Sequence, residues 1–486
     1  MIVRKRQSEQ RDAIKWQQYW LKKLTEKAQD TQFGRDHDFK GIHSHKDLVE
    51  RVPINDYEGL RSYIDRVVAG ERDILWPGKP SYLCKTSGTT SGAKYIPLTK
   101  ESLPYHITAA RDSLLHYVSE SGNADFFDHK MIFLQGSPVM EAVNNLPVGR
   151  LSGIVYHHVP KVLMRNRMPS YQTNIIEDWE EKVGRIAEET LGEDMSLISG
   201  IPPWVVMYFE RLLEISGKSS IKEVFPKFEL FVHGGVNYSP YKQRIESLIG
   251  FEIPTIETYP ASEGFIAYQD SQQHEGLRLN VNAGMYFEFI PTSEIHKENP
   301  TRLSLGEVER DVNYALVLHT NAGLWGYLIG DTIKFTDLEF FRIKVTGRIK
   351  HYISAFGEHV IGEEVEKAMM EACKETGAEV LEFSLAPQVN PPEGLPFHEW
   401  LVEFSRPPAD EEQFADLIDK GMQAANPYYK DLIEGAVLKP IVLTILPKGA
   451  FRDYMESIGK LGGQNKVPRL TNDRKLADSI LALVGK

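Results

Sequence analysis

The segment Thr86-Ser87-Gly88-Thr89-Thr90-Ser91-Gly92-Ala93-Lys94 alternates hydroxyls and small residues and closes on a lysine. Glycines let successive backbone N–H groups converge on an anion, hydroxyls add donors that reorient freely, and Lys94 brings the positive charge that a triphosphate requires. An ordinary flexible loop has the same composition, so composition alone leaves both readings open. The spacing excludes a Walker A loop, which needs four residues between its glycines and a lysine directly after the second. Here three residues separate Gly88 from Gly92, and Lys94 follows two later.

Four more segments carry chemistry-bearing residues in turns. His233-Gly234-Gly235 ends an apolar run. Thr258-Tyr259-Pro260-Ala261-Ser262-Glu263-Gly264 offers an aromatic face, a hydroxyl and an acid. Tyr327-Leu328-Ile329-Gly330-Asp331 ends on a carboxylate able to accept from two vicinal hydroxyls. Gly462-Gly463-Gln464-Asn465-Lys466-Val467-Pro468-Arg469 presents a lysine near the C-terminus. Each of these, taken singly, also reads as a plain turn or surface residue.

Taken in order, these segments resemble the signatures of the adenylate-forming superfamily, which includes firefly luciferase and the acyl-CoA synthetases. The resemblance implies that ATP and Mg²⁺ are used. It assigns Thr86, Ser87, Gly88, Thr89, Thr90, Ser91, Gly92 and Lys94 to the phosphates, and His233, Gly234, Gly235 and Thr258 to the adenine turn. Tyr259 stacks on adenine, Ser262 bonds the α-phosphate and Glu263 holds the metal. Asp331 takes the ribose hydroxyls, Arg348 of Gly347-Arg348 reaches ribose or phosphate, and Lys466 contacts the reacting carboxylate and phosphate as a catalytic residue with Glu263. Leu328 stands where that family's pattern has arginine. Trp204, Val236 and Met285 are the candidates for an acyl pocket, and each reads equally well as core.

One branch fits further segments: Val52-Pro53-Ile54 with Tyr57, Tyr63-Ile64-Asp65-Arg66, Met285-Tyr286-Phe287-Glu288-Phe289-Ile290-Pro291, Thr320-Asn321-Ala322-Gly323-Leu324 and the Lys466 segment. These resemble the Gretchen Hagen 3 family of acyl acid amido synthetases. Membership implies activation of a carboxylic acid as its acyl-adenylate with release of pyrophosphate. Transfer to an amino acid with release of AMP follows. The phosphate loop is one residue shorter than is usual in that family, and Asn465 stands where an aromatic is frequent. An acyl-CoA ligase, which shares the first half-reaction, and a non-catalytic nucleotide-binding protein are the alternatives.

The elements that position these residues read as α/β. Apolar, β-rich runs at Ser196–Ser199, Phe228–Val232, Ile253–Thr258, Met285–Ile290 and Ala315–Leu318 alternate with helical stretches such as Trp204–Ile215, which Pro202 and Pro203 open. An amphipathic helix is expected over Glu9–Lys27. After Arg348 the order becomes helix, strand, strand, helix, strand, with the last strand near Val437–Leu446. The expected fold is therefore a large N-terminal adenylate-forming domain with mixed β-sheets, residues 1–348, and a smaller, mobile αββαβ C-terminal domain, residues 349–486, hinged at Ile349–Lys350.

Composition closes off other classes. With 56 Lys and Arg against 68 Asp and Glu the net charge is −12, which opposes binding to nucleic acid. Two cysteines, Cys84 and Cys373, exclude a disulfide framework and fit a cytoplasmic protein. No run approaches the roughly 18 apolar residues of a membrane span. Cys373 falls on the apolar face of its helix and reads as a packing residue. The pair His157-His158 is assigned no function, since neighbours on a strand point to opposite faces.

Overall fold

The computed structural model describes the chain except for residues 87–93, 160–163, 296, 350, 351, 354–357, 359, 436, 462–465 and 486. Two compact units emerge: Met1–Val236 with Leu248–Lys344, and Asn237–Ser247 with Val345–Lys486.

In the first unit, strands β1 (Tyr82–Thr86), β2 (Lys94–Leu98), β4 (Glu141–Val143) and β5 (Leu146–Gly149) form one sheet in the order β2-β1-β5-β4. A second sheet is built on β3 (Lys130–Phe133), β6 (Arg167–Met168), β7 (Met195–Gly200), β8 (Leu230–Gly234), β9 (Thr255–Pro260), β10 (Phe265–Tyr268), β11 (Leu277–Leu279), β12 (Met285–Pro291), β13 (Asn313–Thr320), β14 (Tyr327–Asp337) and β15 (Arg342–Arg348). Its order is β12-β13-β14-β15-β11-β10-β9-β8-β7-β3-β6. The block β9-β8-β7-β3-β6 is parallel, and the β9/β10, β10/β11, β11/β15, β12/β13 and β13/β14 pairs are antiparallel. Parallel strands need crossover helices that bury both faces, which is why β7 and β8 read as near-continuous apolar runs.

Local chemistry sets the helices. Asp56 accepts from Gly59 N–H and caps Tyr57–Val68, and Asp410 does the same for Glu411–Ala425. Pro202–Ser216 begins on two prolines and stops at Gly217, whose φ of 64° closes the helix. The expected N-terminal helix is two, Ile2–Arg11 and Ala13–Ala28, because the backbone at Asp12 leaves the helical region. Ala13, Trp20 and Leu24 are buried on the second, which joins a core with Leu60, Leu83, Trp325 and Tyr327.

The second unit has β16 (Tyr352–Ile353) and β17 (Val360–Ile361) as an antiparallel ribbon, and β18 (Glu379–Gln388), β19 (Phe397–Arg406) and β20 (Val442–Leu446) as a sheet in that order. Helices Gly362–Thr376 and Glu411–Ala425 alternate with these strands in the expected order. The last strand starts at Val442 rather than near Val437 because a further helix, Pro427–Glu434, capped by Asn426, intervenes and the N–H groups of Val437 and Leu438 turn back onto its Leu432 carbonyl. Two more helices, Ala450–Ser457 and Lys475–Leu483, complete the unit. Cys373 packs against this unit's core and is half-buried. Among the described residues, no helix is long and apolar enough to cross a membrane.

Candidate active site

Open α/β sheets bind ligands beyond the carboxyl ends of their parallel strands. At the ends of β8 and β9, backbone pairing sets Gly234 opposite Thr258. A Cβ on Gly234 would lie 2.3 Å from the Thr258 carbonyl oxygen, so only glycine fits there, and Gly235 turns the chain at φ 82°. The Thr258 hydroxyl donates to the His233 carbonyl at 2.9 Å. Burial lowers the His233 pKa to about 3 and keeps its imidazole neutral.

Tyr259 is buried and donates its hydroxyl to Asp331 Oδ2 at 2.5 Å. A bulge in β14 makes this meeting possible: Leu328 pairs with Val317 and Thr332 with Ala315, so Ile329, Gly330 and Asp331 face a single residue of β13. Gly330 takes φ 91° within the bulge. The bend points Asp331 toward β9.

Ser262 and Glu263 lie in the turn between β9 and β10 and are half-buried. The Cys84 thiol donates to the Ser262 hydroxyl at 3.0 Å, and burial pushes that thiol up to about 12. Burial, together with the charge of the nearby Glu263 carboxylate, raises the pKa of the Tyr327 phenol. Tyr327 is itself held by the Val52-Pro53-Ile54-Asn55 segment. Asn55 N–H donates to the Gly326 carbonyl at 2.7 Å, and Leu328 N–H donates to the Asn55 carbonyl at 2.7 Å. Leu328, where a related pattern has arginine, thus contributes its backbone to this clamp.

Thr86 and Lys94 are register partners at the open end of the β1/β2 hairpin. The Lys94 ammonium sits 5.2 Å from the centre of the Tyr57 ring, a cation–π contact that fixes the lysine above β2. Ser87, Gly88, Thr89, Thr90, Ser91 and Gly92 lie outside the described residues, as do Lys350 of the expected hinge and 462–465 of the C-terminal motif.

Of the acyl-pocket candidates, Met285 is buried with its sulfur 2.3 Å from where a Gly264 Cβ would stand, directly behind Glu263. Trp204 is buried against Trp179, ring centres 4.3 Å apart, and Val236 is half-buried. The first unit therefore brings Thr258, Tyr259, Ser262, Glu263, Asp331 and Met285 together. Arg348, exposed at the end of β15, and Lys466, also exposed, belong to the second unit.

Within that unit the strand-like stretch after Lys466 is pinned to β18. Ser384 donates to the Pro468 carbonyl at 2.8 Å, and Leu385 pairs with the backbone of Arg469 and Thr471. The Arg469 guanidinium bonds Glu382, the Phe383 carbonyl and the Tyr241 hydroxyl, and lies over the Phe383 ring.

Sequence reasoning does not single out Cys84, Tyr327 or Asn55 for these roles, because each meets neighbours that lie far away along the chain. His157 and His158 follow a short helix, Leu151–Tyr156, rather than lying on a strand; they bond the Pro138 carbonyl and the Tyr82 hydroxyl. Among the described residues, no three His, Cys, Asp or Glu side chains cluster as a metal cage.

Models of the GH3 family match the chain in three consecutive parts: its N-terminal domain at residues 3–174, central domain at 279–348 and C-terminal domain at 363–475. The chain belongs to the GH3 family. Among GH3 relatives, the indole-3-acetic acid-amido synthetase GH3.3 of Arabidopsis thaliana is 21% identical, covering 92% of this chain and 88% of its own. The jasmonoyl--L-amino acid synthetase GH3.5 of Oryza sativa subsp. japonica is 22% identical, with 95% and 93% covered. The fold superposes on the AtGH3.15 acyl acid amido synthetase in complex with 2,4-DB with a TM-score of 0.80, at 17% identity over 99% of this chain and 96% of that one. The fold also superposes on a 2-hydroxyisobutyryl-CoA ligase in the postadenylation state with a TM-score of 0.61, at 12% identity over 96% of this chain and 91% of that one.

Proposed function

We propose that this GH3 chain is an ATP-dependent acyl acid amido synthetase. It activates a carboxylic acid as its acyl-adenylate with release of pyrophosphate, then forms an amide with an amino acid and releases AMP. The observation that carries the reading is the convergence of sequence-distant segments: Tyr259 bonds Asp331 and Cys84 bonds Ser262, next to Glu263.

In this reading the Gly234/Thr258 step is the floor for adenine, Tyr259 flanks the base and Asp331 receives the ribose hydroxyls. Thr86, Lys94 and the hairpin between them neutralise phosphate charge. Arg348 and Lys466 are brought from the second unit, Lys466 to stabilise charge as the acid's carboxylate oxygen attacks the α-phosphorus and the bond to pyrophosphate breaks. Movement at residues 349–350 then exchanges Lys466 for the amine. The amine nitrogen attacks the acyl carbon, the bond from that carbon to the phosphate oxygen breaks, AMP leaves as its anion, and the amine's surplus proton passes to solvent.

The residues fit Mg²⁺. This ion keeps most of its waters and takes one or two carboxylates plus substrate phosphates rather than a protein cage, and Glu263 is a single half-buried carboxylate. Bound there it supplies positive charge that screens the phosphates during attack. Acid-dependent exchange of labelled pyrophosphate into ATP tests the first half-reaction. Glu263→Gln is expected to lower it about 100- to 1000-fold, the range for losing one charge-stabilising group. Exchange unchanged in that variant would remove Glu263 from the mechanism.

A further inference from the structure

Beyond β3, the chain gathers cations with no counter-charge. Arg167, on β6 beside β3, stacks its guanidinium 4.3 Å from the Tyr156 ring centre and 5.0 Å from that of Phe133. One amino group donates to Gln135 Oε1 at 2.6 Å and the other, among the described residues, meets only the Met164 sulfur at 3.7 Å. Its Nε is buried without a partner, as is Nε2 of Gln135. Lys182, 2% exposed, donates to two carbonyls, those of Gln135 and Asn174. Burial pulls Arg167 down to about 10 and Lys182 to about 8, the latter helped by Arg150. Among the described residues, no carboxylate pairs with any of these three cations.

A buried cation, a half-buried one and two orphaned donors in one place are costly to keep unless an anion meets them in use. A planar guanidinium beside an amide N–H matches a carboxylate, whose two oxygens take parallel donors. The cluster also borders the candidate site. Arg150 directly follows β5, whose Gly149 pairs with Cys84, and Cys84 bonds Ser262. Arg150 in turn lies against Gly136, where a Cβ would be 3.0 Å from its Cδ.

We propose that Arg167 and Gln135 form a subsite for the carboxylate of the acceptor amino acid. The proposal rests on the amido synthetase reading. In that reading the acyl acid's own carboxylate is consumed at the α-phosphate, whereas the acceptor keeps its carboxylate through the reaction and into the product. A second carboxylate at the far end of a dicarboxylic acyl acid has the same chemistry, and the test separates the two.

The full chain, with AMP present, is titrated calorimetrically with each of the twenty amino acids and with their α-carboxamides, as wild type, Arg167→Gln and Arg167→Lys. The expected result is that at least one amino acid binds and its carboxamide binds on the order of 10- to 100-fold more weakly, as losing a charge-assisted hydrogen bond requires. Arg167→Gln shows a loss of similar size and Arg167→Lys a smaller one. Equal binding of acid and carboxamide, no binding by any amino acid, or unchanged binding in Arg167→Gln overturns the assignment. So does a rise in the acid concentration needed for half-maximal pyrophosphate exchange in place of the binding loss, since that assigns Arg167 to the acyl acid. Wild-type chain that shows no exchange with any acid contradicts the amido synthetase reading, while the titration decides the carboxylate site on its own.

Discussion

Glu263 illustrates how a single carboxylate is made specific. Its neighbour Tyr327 is buried at 4% exposure, and burial near that carboxylate keeps the phenol protonated, a donor within the acid's surroundings. The phenol in turn depends on Asn55, which clamps the backbone on both sides of it. Tyr327→Phe deletes the donor and leaves the ring and the clamp in place. Loss of a hydrogen bond to a charged group corresponds to roughly a tenfold or greater change. The variant is therefore expected to lower kcat/KM for ATP in the exchange assay by about tenfold, with the urea midpoint nearly unchanged. An unaltered kcat/KM would show that the hydroxyl does not orient Glu263.

Elements supply what residues alone do not. Asp331 reaches Tyr259 because β14 bulges, and the bulge needs Gly330 at φ 91°. Gly330→Ala forces a Cβ into left-handed backbone at a cost of about 1–2 kcal/mol. A lowered urea midpoint with a raised KM for ATP is the expected pair of effects; a lowered midpoint alone would detach Asp331 from the nucleotide. The segment Tyr327–Asp331 was readable as a motif, but not as a bulge, since the extra residues exist only relative to β13. Strands such as Met285–Pro291 and Asn313–Thr320 were legible almost to the residue, because unbroken β-branched and aromatic runs suit strands buried on both faces. The expectation started the Val442 strand too early, since Val437 and Leu438 spend their N–H groups on the Leu432 carbonyl at the end of the preceding helix, a pairing that local apolarity does not reveal. Cys84 carried no functional signal, and its contact with Ser262 depends on a partner 178 residues away. Arg167 carried no signal at all, as the missing counter-charge is a property of the fold and not of the string.

Across the first unit, His106, His116 and His233 are buried in neutral form. Burial lowers His106 and His116 to about 4, the latter helped by Arg278, and His233 to about 3. The unfolded chain takes up these protons near pH 6.5, whereas the folded chain refuses them until well below. Stability therefore falls as pH drops from about 6.5 to about 4, by about 1.4 kcal/mol per pH unit for each histidine once the unfolded form is protonated. His106→Phe is expected to make the decline of the urea midpoint over that window shallower. A slope equal to that of the wild type would mean that His106 is protonated in the folded state.

The account's central claim is that one chain joins an acid to an amine through an acyl-adenylate. The most direct test is mass-spectrometric detection of products after incubating the full chain with ATP and Mg²⁺ across aryl, indole and fatty acids, with the twenty amino acids in one arm and coenzyme A in another. The account predicts that at least one acid gives pyrophosphate and AMP in equal amounts together with an acyl–amino acid amide, and that Lys466→Ala gives none. Acyl-adenylate that only coenzyme A discharges, or ATP bound with no acid consumed across the whole panel, would contradict it.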